Sequence, residues 1–195
     1  MRQGIKHNLK TNGSYFITPT IVGWVDLFTR KEIRDILIDS LRYCHMHKGL
    51  NIFAYCVMSN HIHLIVNCNE PFMLKDTIRD FKRHTSSKMF EWMERNPESR
   101  KEWMKTIFTE AAKNDRKSKK IKLWITGNHA IELRNEIFTW TKVEYIHKNP
   151  VRAGWVSKPE DWIYSSARNY QDKAAILKEV FCLTPPLNFK SYPDF

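Results

Sequence analysis

At 195 residues the chain has room for one domain with a real core and hardly for two. Its 42% hydrophobic and 27% charged content excludes a disordered chain, and no apolar run approaches the roughly 20 residues of a bilayer span. Lys and Arg number 32 against 21 acids, a formal +11, and such an excess points to a polyanion, of which nucleic acid is the commonest large one.

The first residues, Met1-Arg2-Gln3-Gly4-Ile5-Lys6, lead into no apolar signal core. Cys44, Cys56, Cys68 and Cys182 form no Cys-x-x-Cys pair and read as reduced thiols of a cytoplasmic protein. Residues 1–13 are expected to be a flexible basic lead-in. Tyr15-Phe16-Ile17-Thr18 and Ile21-Val22 suggest a first strand, with Pro19 marking an edge or irregularity. Thr29-Arg30-Lys31-Glu32 has the form of a capping box. The helix it opens carries Ile33, Ile36, Leu37 and Leu41 on one stripe and ends before Gly49.

Asn51 to Met58 predicts a second strand, and Ser59-Asn60 turns the chain into a third. After Pro71, Leu74, Ile78 and Phe81 recur at helical spacing, with Lys75 and Arg79 on a solvated face. Arg95-Asn96-Pro97 stops that helix. Residues 94–120 then read as a part-helical insertion ending in the basic run Arg116-Lys117-Ser118-Lys119-Lys120. Two readings of that run stay open: a clamp on single-stranded DNA through Lys117 and Lys119, or a loop without a role. Ile121–Ile125 and His129–Leu133 supply a last strand or strand pair, and a helix follows from about Asn135 to Asn149. The order strand, helix, strand, strand, helix, strand predicts an α+β, ferredoxin-like (RRM-like) antiparallel sheet with helices on one face, followed by one more helix. The expected organisation is a single domain over 14–170 with a tail over 171–195.

In Met58-Ser59-Asn60-His61-Ile62-His63-Leu64-Ile65-Val66, strand alternation sends His61 and His63 to one side and Ile62, Leu64 and Val66 to the other. Two imidazoles on one side of a strand suit a divalent metal. His45 and His47 share the spacing, but on a helix positions two apart do not face each other. Far along the chain, Glu144-Tyr145-Ile146-His147-Lys148-Asn149-Pro150 reads as a helix stopped near Pro150, with Tyr145 and Asn149 on one face.

These features resemble the single-tyrosine HUH transposases, and more closely their REP-associated branch. The likeness spans about Ser14 to Tyr170. It rests on Val57–Ile65, on Phe81-Lys82-Arg83-His84-Thr85-Ser86, and on Val143–Val156. Ser59 departs from a proline frequent in the family, which affects the turn alone. The resemblance implies Mg²⁺ or Mn²⁺ held by His61, His63 and Asn149, acting as Lewis acid and template. It makes Tyr145 a nucleophile that forms a 5′-phosphotyrosine link, with Lys142 or Lys148 easing the charge on a phenol. Lys82, Arg83 and Lys142 become DNA contacts, Arg152 either binds phosphate beyond the helix or pairs with an acid such as Glu144, and the substrate becomes an imperfect DNA hairpin with a single-stranded flank. Rejoining from such a link needs no ATP, in keeping with the lack of a Gly-x-x-x-x-Gly-Lys loop. It also implies a bacterial, nucleoid-associated setting, and leaves a homodimer open.

Tyr55, Tyr164 and Tyr170 read as packing or surface residues, and His147 as lying well round the helix from Tyr145. Two other functions compete. An RRM-like single-stranded nucleic-acid-binding module would do no chemistry, but aromatic signatures for base stacking are not evident on the strands. A metal hydrolase using water would need the histidines and not Tyr145, yet no carboxylate accompanies the pair.

Overall fold

The computed structural model describes residues 13–113, 115, 120–187 and 189. Its elements are β1 (Tyr15–Ile17), α1 (Lys31–His47), β2 (Leu50–Val57), β3 (Ile62–Cys68), α2 (Leu74–Arg95), α3 (Lys101–Lys113), β4 (Ile131–Glu132) and α4 (Glu136–Arg152). The strands lie in the order β2-β3-β1-β4, and every pairing is antiparallel. This is the ferredoxin-like arrangement that the element order predicts.

Register decides what each face does. Tyr15 lies opposite Val66 and Ile17 opposite Leu64, so these side chains share one face with Ile62 and meet α1 and α2. Ile33, Leu37, Leu41, Ile78 and Phe81 close that core, almost wholly buried. At about 1.5–3 kcal/mol for each fully buried large apolar side chain, this face carries most of the stability. Between them, Phe16 and Ile65 pair on the other face with Ala54 and Cys56, where Val143 and Ile146 of α4 pack. This second core is smaller, and His63 shares its face.

Local chemistry departs from expectation at four places. The capping box does not form: α1 begins after Arg30, and the Thr29 hydroxyl donates to the Asp26 carbonyl at 3.1 Å instead. The first strand stops at Ile17, because Pro19 has no N–H to give; Thr20 and Ile21 make only isolated bridges to His61 and Trp124. The last strand is two residues long, and 121–125 contributes one bridge. Finally, α4 continues through Pro150 to Arg152. Its end is a Schellman cap, in which Gly154 at φ 71° lets Gly154 N–H reach Val151 O at 2.9 Å and Trp155 N–H reach Pro150 O at 3.0 Å.

The segment after α4 returns along β2. Val57 N–H donates to Tyr164 O at 2.9 Å, and Phe181 N–H to Ile52 O at 2.9 Å, which covers an otherwise open sheet edge.

The approach to α3 is tied by charge to the segment before α1. Glu98, its side chain 1% exposed, accepts from Arg30 at 2.7 Å and from Arg100 at 3.1 Å, while Arg100 also reaches Asp26 at 2.7 Å. The Arg30 hydrogen bond, helped by Arg100, holds the Glu98 carboxyl down at about 2. A depressed carboxylate contributes stability above its unfolded pKa and loses it as pH falls. Glu98→Gln is therefore expected to cost about 2–3 kcal/mol near neutrality. Relative to it, the native chain loses its advantage between about pH 4.5 and about 2, as urea midpoints across that range will show.

Candidate active site

The site is built where β3 begins. Strand alternation and the Thr20–His61 bridge turn both imidazoles to the α4 face. Their Nε2 atoms stand 3.1 Å apart, with ring planes at 75°. His63 is 4% exposed and stacks on Phe16 at 5.5 Å. Burial, assisted by the neighbouring His61 and Lys142, pushes its pKa down to about 3, and burial also lowers that of His61. Both rings are accordingly neutral at physiological pH, the form in which imidazole binds metal.

The far side of each ring is held. His61 Nδ1 donates to the Asn60 carboxamide oxygen at 2.6 Å, which leaves a lone pair on its Nε2. His63 Nδ1 meets the Thr18 hydroxyl at 3.1 Å. A hydroxyl both donates and accepts, so Thr18 serves either tautomer of His63. When it accepts, two Nε2 lone pairs face one point.

That geometry fits a divalent ion. Two ligands at about 2.1 Å from one cation and at a right angle lie close to 3 Å apart, and the observed separation is 3.1 Å. Among the described residues no cluster of three or more His, Cys, Asp and Glu forms, so no carboxylate joins the pair.

Tyr145 arrives from α4. Its ring centroid is 5.3 Å from that of His63 and 6.0 Å from that of Phe16, and the residue is half-buried. Lys142, one turn earlier, sets its ammonium 5.4 Å from the Tyr145 ring centre; Arg152, two turns later, sets its guanidinium at 5.6 Å. Asn149 is on the same stripe, and its Nδ2 donates to the Tyr145 carbonyl at 2.7 Å, so the contact the structure gives its carboxamide is with its own helix.

Other predicted residues lie elsewhere. The Lys82 ammonium is spent on Ile125 O at 3.0 Å, Gly127 O at 2.7 Å and Asn128 Oδ1 at 2.7 Å, and burial lowers its pKa to about 8. It is a brace where a phosphate contact was expected. The loop it holds returns to the site, since Asn128 O accepts from Thr18 N–H at 2.8 Å. Arg83 is on the α2 side and pairs with Asp80 at 3.1 Å. Lys117 and Lys119 lie outside the described residues. His147, well round the helix from Tyr145, is buried, with Nε2 2.8 Å from Ser166 Oγ. Tyr55 and Tyr164 are buried as packing residues. Thr18 and Phe16 escaped sequence reading because only the β1–β3 register brings them to the imidazoles.

Residues 25–128, more than half of the chain, match the family described as "Transposase IS200 like". The chain belongs to the IS200-like transposase family. Transposases of this family cleave DNA and generally use a divalent metal, which the imidazole pair suits. The matched range contains the histidines and stops before Tyr145. No curated protein matches significantly. The structure of a REP-associated tyrosine transposase bound to a REP hairpin superimposes with a TM-score of 0.58 at 18% identity, over 100% of both chains, and so has the same fold. A Deinococcus radiodurans protein described as a transposase aligns over 76% of this transposase and 97% of its own chain at 16% identity, with a TM-score of 0.40. No helix among the described residues is long and apolar enough to cross a membrane.

Thr18→Val and Asn60→Ala are each expected to weaken Mn²⁺ binding about 10- to 100-fold in calorimetric titration, because the ring each one holds loses its orientation. Lys82→Met should lower unfolding free energy by about 1–3 kcal/mol while leaving the salt dependence of DNA binding unchanged. A reduced salt slope in that variant would instead mark a phosphate contact.

Proposed function

We propose that this transposase is a single-tyrosine enzyme of the REP-associated type, which cleaves single-stranded DNA beside an imperfect hairpin and rejoins it through a 5′-phosphotyrosine link. One observation carries the reading: a phenol from α4 and an imidazole pair from β3, far apart in sequence, approach to 5.3 Å between ring centres.

His61 and His63 would hold Mg²⁺ or Mn²⁺ through Nε2, with the Asn149 oxygen as a third neutral ligand. When bound, the cation supplies Lewis-acid polarisation of the scissile phosphate. Tyr145 Oη attacks phosphorus, forming the phosphotyrosine bond as the P–O3′ bond breaks. The phenol loses its proton and the departing O3′ gains one, which leaves a free 3′-hydroxyl. Lys142 and Arg152, both over the Tyr145 ring, favour the developing negative charge and the DNA backbone. Rejoining is the reverse step with another 3′-hydroxyl as nucleophile. One phosphodiester is exchanged for another, so no nucleotide triphosphate is required. Charge from Lys142 and Arg152 fits a phosphate track, which an uncharged stacking sheet would not supply.

The test is incubation of labelled single-stranded hairpin DNA with the protein and Mn²⁺ or Mg²⁺, read on a denaturing gel. A protein-linked band is expected, lost at least about 100-fold in Tyr145→Phe and in His63→Ala. Undiminished linkage in Tyr145→Phe would refute the assignment. In the Tyr145→Phe background, Lys142→Gln and Arg152→Gln should each reduce the slope of log affinity against log salt by about one.

A further inference from the structure

On the basis of that reading, we propose that Trp24 is a stacking platform for a nucleobase adjacent to the scissile phosphate. Trp24 is 65% exposed, an unusual position for the largest apolar side chain. Its backbone is left-handed, with φ 54°, directly after Gly23 at φ 64°. A non-glycine residue in that region is held there against its own preference, and such residues gather at functional sites.

The surroundings fix the turn. Val22 and Val25 on either side are buried, and α3 packs against it. A side chain at Gly23 would come within 2.9 Å of Ile107 Cγ2 on α3. The Trp24 carbonyl accepts from Asn60 Nδ2 at 3.1 Å, and the oxygen of the same carboxamide accepts from His61 Nδ1 at 2.6 Å. One side chain thus ties the exposed indole to the imidazole pair. The Trp24 and His61 ring centres are 6.2 Å apart, at 72°.

An open aromatic ring next to phosphate-handling groups is how proteins hold single strands, with bases stacked beside a tracked backbone. The occupant is a base and not an apolar protein surface. Trp24 adjoins the imidazole pair through His61, Lys142 and Arg152 stand over the Tyr145 ring that meets His63, and the chain carries a net +11. Stacking tolerates any base, so the contact contributes grip and position with little sequence preference.

The experiment first maps the linkage site on hairpin DNA with the native protein. Adduct formation is then measured at subsaturating DNA for Trp24→Ala and Trp24→Phe, and with an abasic nucleotide placed in turn on each side of the mapped phosphate. Trp24→Ala is expected to reduce linkage about 5- to 100-fold, and Trp24→Phe to restore most of it. One abasic position should reproduce the loss in the native protein and add nothing in Trp24→Ala. Native linkage by Trp24→Ala, or losses from variant and abasic site that simply multiply, would overturn the platform. So would an equal fall in Mn²⁺ affinity or in unfolding midpoint, since the indole would then only prop His61. If the native protein forms no adduct, the Tyr145 reading fails by itself. Trp24 is then judged by single-strand affinity: an unchanged value in Trp24→Ala overturns the platform, and a 5- to 100-fold loss sustains it.

Discussion

Two imidazole nitrogens held 3.1 Å apart are a constraint that something must satisfy. Asn60 fixes His61 with its lone pair inward, so His63 must either offer a proton or share a cation with it. Thr18 permits both, because its hydroxyl can reverse its role toward His63 Nδ1. Burial keeps both rings neutral, and it removes the alternative of a charged pair repelling across the gap. The two lone pairs are therefore oriented by residues outside the pair itself, in the arrangement that a divalent ion would fit.

This orientation is possible because stability is drawn largely from the opposite side of the sheet. Ile17, Ile62, Leu64 and Val66 bury themselves against α1 and α2. Phe16, His63 and Ile65 are left to make a smaller contact with α4. The tyrosine helix rests on a few apolar side chains, with Lys142, Tyr145, Asn149 and Arg152 along one stripe beside them. A helix seated on a modest core can present a polar stripe without the fold depending on it.

Other parts of the chain support the centre from a distance. Lys82 braces the loop whose Asn128 carbonyl holds Thr18, and so acts on His63 through the backbone. Helix α3, whose approach is anchored by Glu98 between two arginines, backs the Gly23–Trp24 turn that Asn60 joins to His61. The charged residues on these elements serve position more than they serve the polyanion that the composition suggests.

Much was legible from residues alone. The ferredoxin-like order followed from hydrophobic periodicity, since periods of two and 3.6 are local properties of the backbone. The shared side of His61 and His63, and of Tyr145 and Asn149, followed from the same two periods. The basic run at Lys117 and Lys119 gave composition and nothing about place. The failed cap at Thr29 shows a local signal overridden, because its hydroxyl found the Asp26 carbonyl and Arg100 instead. Lys82 shows the converse: a base in a matching motif reads as a phosphate contact until three loop oxygens are seen around it. Residue types and the faces they take were readable along the chain, since both depend on neighbours a few positions away. That Thr18, Phe16, Trp24 and Tyr145 meet the imidazoles came from the fold, because sheet register and helix docking are long-range choices that no short stretch of chain encodes.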